Sequence, residues 1–281
     1  TECGVVYNEM PFHGTLPDQA ELAKMITPKT KVALIQRSRG YSLRSPLTIA
    51  DIRTLCERIK QVKPDCVCFV DNCYGEFVET LEPKAVGADI AAGSLIKNPG
   101  GGIAPSGGYI VGRADLVELA SYRLTAPGIG SELGASLADN RLLFQGLFLA
   151  PHIVSQALKS AVFAAALFSE LGYNTLPRYD EPRSDIIQAI ELGTPELMVA
   201  FCRGLQRLSP VDSHVRPEPS GMPGYSDAVI MAAGAFVQGS SIELSADGPL
   251  RSPYAVYLQG GLTFEHALLG VMGAAEEISK L

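Results

Sequence analysis

Residues 71–105 read DNCYGEFVETLEPKAVGADIAAGSLIKNPGGGIAP. Just ahead of them, the apolar run Cys66-Val67-Cys68-Phe69-Val70 delivers an acid and an amide, Asp71-Asn72, to its end. A second run of small residues, Ala88 to Gly93, delivers Ser94, then Lys97 and the turn Asn98-Pro99-Gly100-Gly101-Gly102. Apolar runs bounded by polar and turn residues predict buried strands of a parallel sheet. In open α/β sheets, ligands sit beyond the carboxyl ends of the strands. Asp71 and Lys97, 26 residues apart, are therefore expected to meet in one crevice.

Upstream, KVALIQ at 31–36 predicts another buried strand, ending in the basic cluster Arg37-Ser38-Arg39-Gly40-Tyr41. Thr48 caps an amphipathic helix in which Ile49, Ile52, Leu55 and Ile59 share one face. Asp18 opens a shorter helix that runs to Met25. Strand–helix–strand order implies right-handed βαβ units. Downstream, GGYIVG at 107–112 predicts a further strand and 114–122 a helix. Helices are expected over 132–148 and 151–171, the second long and alanine-rich. Beyond Gly172 the texture changes: 183–192 reads as a strand, 195–208 as a helix, 228–237 and 240–245 as a strand pair. An amphipathic helix over 264–281 closes the chain. The pattern predicts an α/β architecture, with a large domain over 1–150 and a smaller α+β domain over 151–281.

The whole chain narrows the function classes. Its 281 residues are 47% hydrophobic and 19% charged, the profile of a soluble globular protein. A net charge of −7 and the lack of any basic run speak against a nucleic-acid partner. No membrane span is expected, because the most apolar stretch, 157–171, carries Lys159 and Glu170 and reads as a packed helix; no secretory signal opens the chain. The six cysteines lie at 3, 56, 66, 68, 73 and 202. Without paired C-x-x-C or a histidine at ligand spacing, zinc is not expected. They read as reduced, buried thiols of a cytoplasmic protein.

A lysine in a glycine-bounded loop has two sharp uses: it can hold a phosphate, or form a Schiff base with a carbonyl. Phosphate loops place their glycines before the lysine; here they follow Lys97, which argues against a nucleotide triphosphatase. A Schiff-base lysine for pyridoxal 5'-phosphate fits better. That cofactor's ring nitrogen draws electrons only when protonated, and a buried carboxylate such as Asp71 enforces this. Ser94 can offer its hydroxyl to the phosphate, and the glycines let backbone pass close to a flat ring. Taken singly, each residue has a commoner use, as a turn cap, a solvated charge or a turn serine. The joint arrangement is what points to the cofactor.

The segments VDN at 70–72, LIQRSRGYSLRSPLT at 34–48 and GADIAAGSLIKNPGGGIAPSGGYIVG at 87–112 resemble the aluminium-resistance / methionine γ-lyase-like family of pyridoxal-phosphate enzymes. The likeness runs over essentially the whole chain. It implies an aspartate-aminotransferase-type fold, with Lys97 as the Schiff-base lysine, Asp71 on the pyridine nitrogen and Ser94 near the phosphate. Asn72 matches the family's Asp-Asn pair and would lie at the cofactor. The same resemblance makes Arg39 a substrate contact and Arg251, in GPLRSPYAVYLQGG, a clamp on the substrate carboxylate. It implies a homodimer or homotetramer whose sites are completed by a neighbouring subunit.

One departure stands at the front. Such enzymes carry an N-terminal glycine-rich turn for the phosphate and an aromatic that stacks on the ring. Gly14-Thr15 precedes a helix but lacks that turn, so an N-terminally truncated chain is expected. The leading expectation is a carbon–sulfur lyase acting on a sulfur amino acid. Its rivals are transamination or racemisation on the same scaffold, and a catalytically silent, dimerising chain or fragment.

Overall fold

Asp18 and Thr48 start the first two helices for the reason their positions suggest. Asp18 and Glu21 form a reciprocal capping box, with Glu21 N donating to Asp18 Oδ1 at 2.8 Å and Asp18 N to Glu21 Oε2 at 2.7 Å, ahead of α1, Gln19–Met25. Thr48 and Asp51 repeat the device ahead of α2, Ile49–Val62. Each satisfies amide groups that a helix start leaves unpaired. The computed structural model describes residues 4–10, 12, 16–134, 136 and 139–281; Gly14, Thr15 and Cys3 lie outside them.

The first sheet contains β1 (Val32–Gln36), β2 (Val67–Asp71), β3 (Ile90–Ser94) and β4 (Gly108–Gly112), in that order. β1–β2 and β2–β3 are parallel, as the crossovers require. β4 runs antiparallel to β3, pairing Ser94 with Gly108. Residues 95–107 between β3 and β4 are taken up by the Lys97 turn, the short 3-10 helix at 98–100 and glycines, with no α-helix to carry the chain across the sheet. Ile52, Leu55 and Ile59 of α2 bury against Ile35, Cys66, Cys68 and Val70. Burying each such aliphatic side chain is worth about 1.5–3 kcal/mol. Cys66 and Cys68 are both fully shielded, as their alternation predicts.

A helix, α3 (Ala114–Leu124), follows β4. The two helices expected over 132–148 and 151–171 are one, α4 (Asn140–Glu170), with Pro151 inside it. Proline forfeits one helical hydrogen bond, and a 31-residue helix carries the loss. This corrects the expectation that no stretch is long enough to span a membrane: α4 meets that test by length and composition, with a mean hydropathy of 1.3 in its best window. One face of it is nevertheless packed on protein, through Gly146, Ala150, Val154, Ala157 and Ala161.

The C-terminal half holds a second sheet, wholly antiparallel, in the order β5-β6-β9-β8-β7. Its strands are β5 (Asn174–Leu176), β6 (Gln188–Glu191), β7 (Val229–Ala232), β8 (Ser245–Pro249) and β9 (Ala255–Gln259). α5 (Pro195–Arg207) and α6 (Phe264–Ile278) cover one face around Phe168, Phe201, Leu205 and Val271. The strand expected over 183–192 is confined to its last residues, since 183–187 leaves the sheet to reach the first one. β8 begins where the expected 240–245 strand ends, and β5 and β9 are additional strands.

Candidate active site

Asp71 is the last residue of β2 and Ser94 the last of β3, so both leave the carboxyl edge of the first sheet. The chain then turns through Lys97 into a short 3-10 helix, Asn98–Gly100, with Lys97 N donating to Ser94 O at 3.3 Å and Gly100 N to Lys97 O at 3.2 Å. α4 lies directly on this turn. A Cβ at Gly146 would strike the Gly100 backbone, and one at Gly101 would strike Gly146 and Ala150, so glycine is needed on both surfaces. The turn that carries Lys97 is thereby clamped between sheet and helix.

The Lys97 ammonium lies over the Tyr74 ring, 4.2 Å from its centroid, a cation–π arrangement. Lysine ion pairs among the described residues involve Lys60, Lys63 and Lys280, not Lys97. Burial pulls the ammonium's pKa down, but Tyr74, Cys73 and Asp71 outweigh it and hold it above the ordinary value. Burial likewise pushes the Cys73 thiol up to about 11, against the pull of Lys97. Asp71 Oδ1 accepts from Cys73 N at 3.1 Å, which orients the carboxylate at the strand end. Lys97, Asp71 and Ser94 are thus assembled on one edge.

Asn72 is placed differently. Its buried amide accepts from Arg37 Nη1 at 2.8 Å and donates to Glu82 Oε2 at 2.9 Å and to Tyr109 Oη at 3.1 Å. Tyr109 in turn donates to Glu76 Oε1 at 2.8 Å, and Arg37 Nη2 to Glu79 Oε2 at 2.8 Å. The Asn72 side chain is therefore engaged in a polar network that braces the sheet edge. Burial pushes the Glu76 carboxyl up to about 7.

Arg39 and Arg251 occupy contrasting settings. Arg39 is 3% exposed, in the loop after β1. Arg251 lies on the rim, its guanidinium half exposed, 3.3 Å from Asp227 Oδ2 and donating to Tyr41 O at 3.0 Å. Sequence reasoning assigned no role to three residues that the fold adds to this crevice. Tyr74 follows Asp71 by three positions, and that adjacency is the available signal. Tyr41 and Asp247 arrive from the loop after β1 and from β8, with no local signature. Tyr41 Oη donates to Asp247 Oδ2, whose carboxyl burial pushes up to about 6 against the opposing pull of Tyr41 and Lys97.

Comparison with known proteins identifies the family. The family model for methionine gamma-lyase matches residues 1–279. The uncharacterized protein YnbB of Bacillus subtilis (strain 168) is 53% identical over 261 residues, covering 93% of this chain and 62% of that protein. A crystal structure from Listeria monocytogenes, provisionally named a cystathionine beta-lyase involved in aluminum resistance, aligns with a TM-score of 0.89 at 54% identity. That alignment covers 93% of this chain and 64% of that one. A provisionally named O-acetylhomoserine (thiol)-lyase of Campylobacter jejuni, solved with N'-pyridoxyl-lysine-5'-monophosphate, shares the fold at 18% identity and a TM-score of 0.58, over 93% of this chain and 68% of that one. The chain spans less than two thirds of the length of the first two. By motif, fold and similarity, it belongs to the methionine gamma-lyase family, whose solved relatives include proteins named for aluminium resistance.

Proposed function

We propose that this chain is the part of a pyridoxal-phosphate-dependent carbon–sulfur lyase that holds the catalytic lysine and acts on a sulfur amino acid, within an aspartate-aminotransferase-type fold. The observation that carries this reading is the Lys97 ammonium, mostly buried over the Tyr74 ring and without a described carboxylate in ion-pair range, on the edge where Asp71 and Ser94 end their strands. That donor set fits the cofactor: an amine for its carbonyl, an acid for its ring nitrogen and a hydroxyl for its phosphate. When bound, the cofactor supplies an electron sink for the carbanion formed at the substrate.

The chain's own residues do the rest. Lys97 would attach the cofactor and, once displaced by the substrate amine, carry protons at Nζ between substrate carbons as general base. Asp71 would keep the ring nitrogen protonated through its charge. Ser94 would hold the phosphate. Arg39, rather than the rim-placed Arg251, is the arginine assigned to the substrate.

The proposal includes division into a cofactor domain over 1–150 and a small domain over 151–281, cytoplasmic residence and assembly as a homodimer or homotetramer. Assembly is supported by the exposed apolar side chains of Leu124, Phe144 and Phe148 on α3 and α4. Free Cys56, Cys66, Cys68, Cys73 and Cys202 support a reducing compartment.

The test is a peptide map of the full-length protein after incubation with pyridoxal phosphate and borohydride reduction. A pyridoxyl group on the Lys97 peptide is expected, absent in Lys97→Ala. An unlabelled Lys97 in the full-length protein would overturn the reading.

A further inference from the structure

Two thiols meet between α2 and the first sheet. Cys56 lies on the inner face of α2 and Cys68 in β2, and their side chains are hydrogen-bonded to each other. Cys68 is wholly shielded; Cys56 is 2% exposed and lines a cavity of about 380 Å3 beside Arg53, Glu57, Lys60 and Gly87. Gly87 passes directly over the thiol, since a Cβ there would stand 3.4 Å from the Cys56 Cβ. Its missing side chain keeps the cavity open down to Cys56.

The surroundings treat the two thiols differently. Cys68 donates to Cys56 and, with Lys60, holds Cys56 below the ordinary thiol value against the push of burial, Asp89 and Glu57. The same bond and burial push Cys68 far up, so it keeps its proton. Only the thiolate is a nucleophile, so reactivity gathers on the member that faces the cavity. The Lys60 ammonium is fixed there, 2.6 Å from Asp89 Oδ2 and donating to Cys66 O at 2.7 Å. Asp89 Oδ2 also accepts from Cys68 N at 2.8 Å. One carboxylate thus anchors both the cation beside Cys56 and the backbone of Cys68.

The remaining described cysteines lack this setting. Burial pushes up the thiols of Cys66, Cys73 and Cys202, and Cys73 reaches about 11.

We infer that Cys56 is a site of reversible oxidation by hydrogen peroxide, with Cys68 as the thiol that resolves it into a disulfide. The inference goes beyond the lyase reading and does not depend on it. Peroxide is little larger than water, whose share of liquid volume is about 30 Å3, and the cavity admits it. The Cys56 sulfur attacks one peroxide oxygen, the O–O bond breaks, and the departing hydroxide takes up a proton as water. Cys56 is left as a sulfenic acid. The Cys68 sulfur then attacks the Cys56 sulfur and the S–O bond breaks. The hydroxyl leaves as a second water with the proton that Cys68 carried. Two thiols and one peroxide give one disulfide and two waters. Sulfurs already in contact can be bridged without large backbone movement. The bridge would staple α2 to β2, the strand that ends in Asp71, until a thiol reductant reopens it. Disulfides of reducing compartments are of this transient, oxidant-sensing kind.

The test treats the full-length protein with hydrogen peroxide, blocks the remaining thiols with N-ethylmaleimide and maps the peptides without reduction. A linked Cys56–Cys68 pair is expected, undone by dithiothreitol and formed as fast in Lys97→Ala as in the parent. Cys56 should be oxidised at least about tenfold faster than Cys73. In Cys68→Ala, oxidation should stop at a Cys56 sulfenic acid that dimedone captures. In Cys56→Ala, Cys68 should stay reduced at the same dose. The parent map decides the assignment even where a variant does not fold. A bridge between Cys66 and Cys68, oxidation of Cys73 ahead of Cys56, oxidation of Cys68 in Cys56→Ala, or a parent in which Cys56 and Cys68 stay reduced after Cys73 is consumed would each overturn it.

Discussion

The Tyr41 hydroxyl donates to Asp247 Oδ2 at 2.5 Å, joining residues 206 positions apart and tying the loop after β1 to β8 of the second sheet. Gln259 Nε2 bonds the other carboxylate oxygen at 3.2 Å. The rings of Tyr225 and Tyr257 flank Tyr41, with centroids at 5.3 and 5.4 Å. One wall of the Lys97 crevice is therefore a single bonded unit drawn from both sheets.

That bond should be weighted toward the ionised acid. Burial pushes the Asp247 carboxyl up to about 6, and the Tyr41 hydroxyl works against that push. Tyr41→Phe leaves a buried carboxylate short of one donor, a loss of about 1–3 kcal/mol. The cost should be larger at pH 8, where Asp247 is ionised, than at pH 4, where it is protonated in both proteins. Urea unfolding at the two pH values checks this. An equal loss at both would mean that Tyr41 contributes packing rather than charge stabilisation.

Glu76 carries a second pH dependence. Burial raises its carboxyl to about 7, with Tyr109 and the protein's own amides opposing. A folded-state value above the unfolded one gives a contribution present below about pH 4.5 and lost as pH rises through 7. The full difference is worth roughly 3 kcal/mol. Glu76→Gln keeps a hydrogen-bonding group beside Tyr109 and removes the charge. Its stability should match the parent's near pH 4 and exceed it at pH 8. Parallel stability curves for the two proteins across this range would show that Glu76 ionises without cost.

These long-range groups mark the limit of what the sequence makes legible. Lys97, Asp71 and Ser94 could be found because each terminates or follows a strand, and their spacing is local. The direction of β4 could not, since GGYIVG has the same apolar profile in either orientation and loop length decides it. Pro151 suggests a break, but the helix runs through it: Gly146 and Ala150 before it pack on Gly100 and Gly101, and Val154, Ala157 and Ala161 after it are buried. Arg39 entered through family resemblance. The unbonded nitrogens of its guanidinium, and those of Arg183, depend on residues 183–187 reaching the loop before α2, a contact that no local pattern encodes.

Tyr74 provides the most direct probe of Lys97. Its backbone holds φ at +72°, a left-handed conformation unusual for a tyrosine, so the fold accepts strain to keep the ring there. The ring lies 4.2 Å from the Lys97 ammonium, and Tyr74 is the first among the groups that raise the lysine above the level burial alone would set. Tyr74→Leu removes both the ring face and the phenol, so burial should dominate and the Lys97 pKa should fall. Tyr74→Phe keeps the ring and should shift it less. Reductive methylation of the cofactor-free protein across pH, read at the Lys97 peptide, measures this, because only the neutral amine reacts. The half-point should move to lower pH in the order parent, Tyr74→Phe, Tyr74→Leu. A half-point unmoved in Tyr74→Leu would mean that Asp71 and Cys73 hold the ammonium, and that the ring serves only to shape the floor of the crevice.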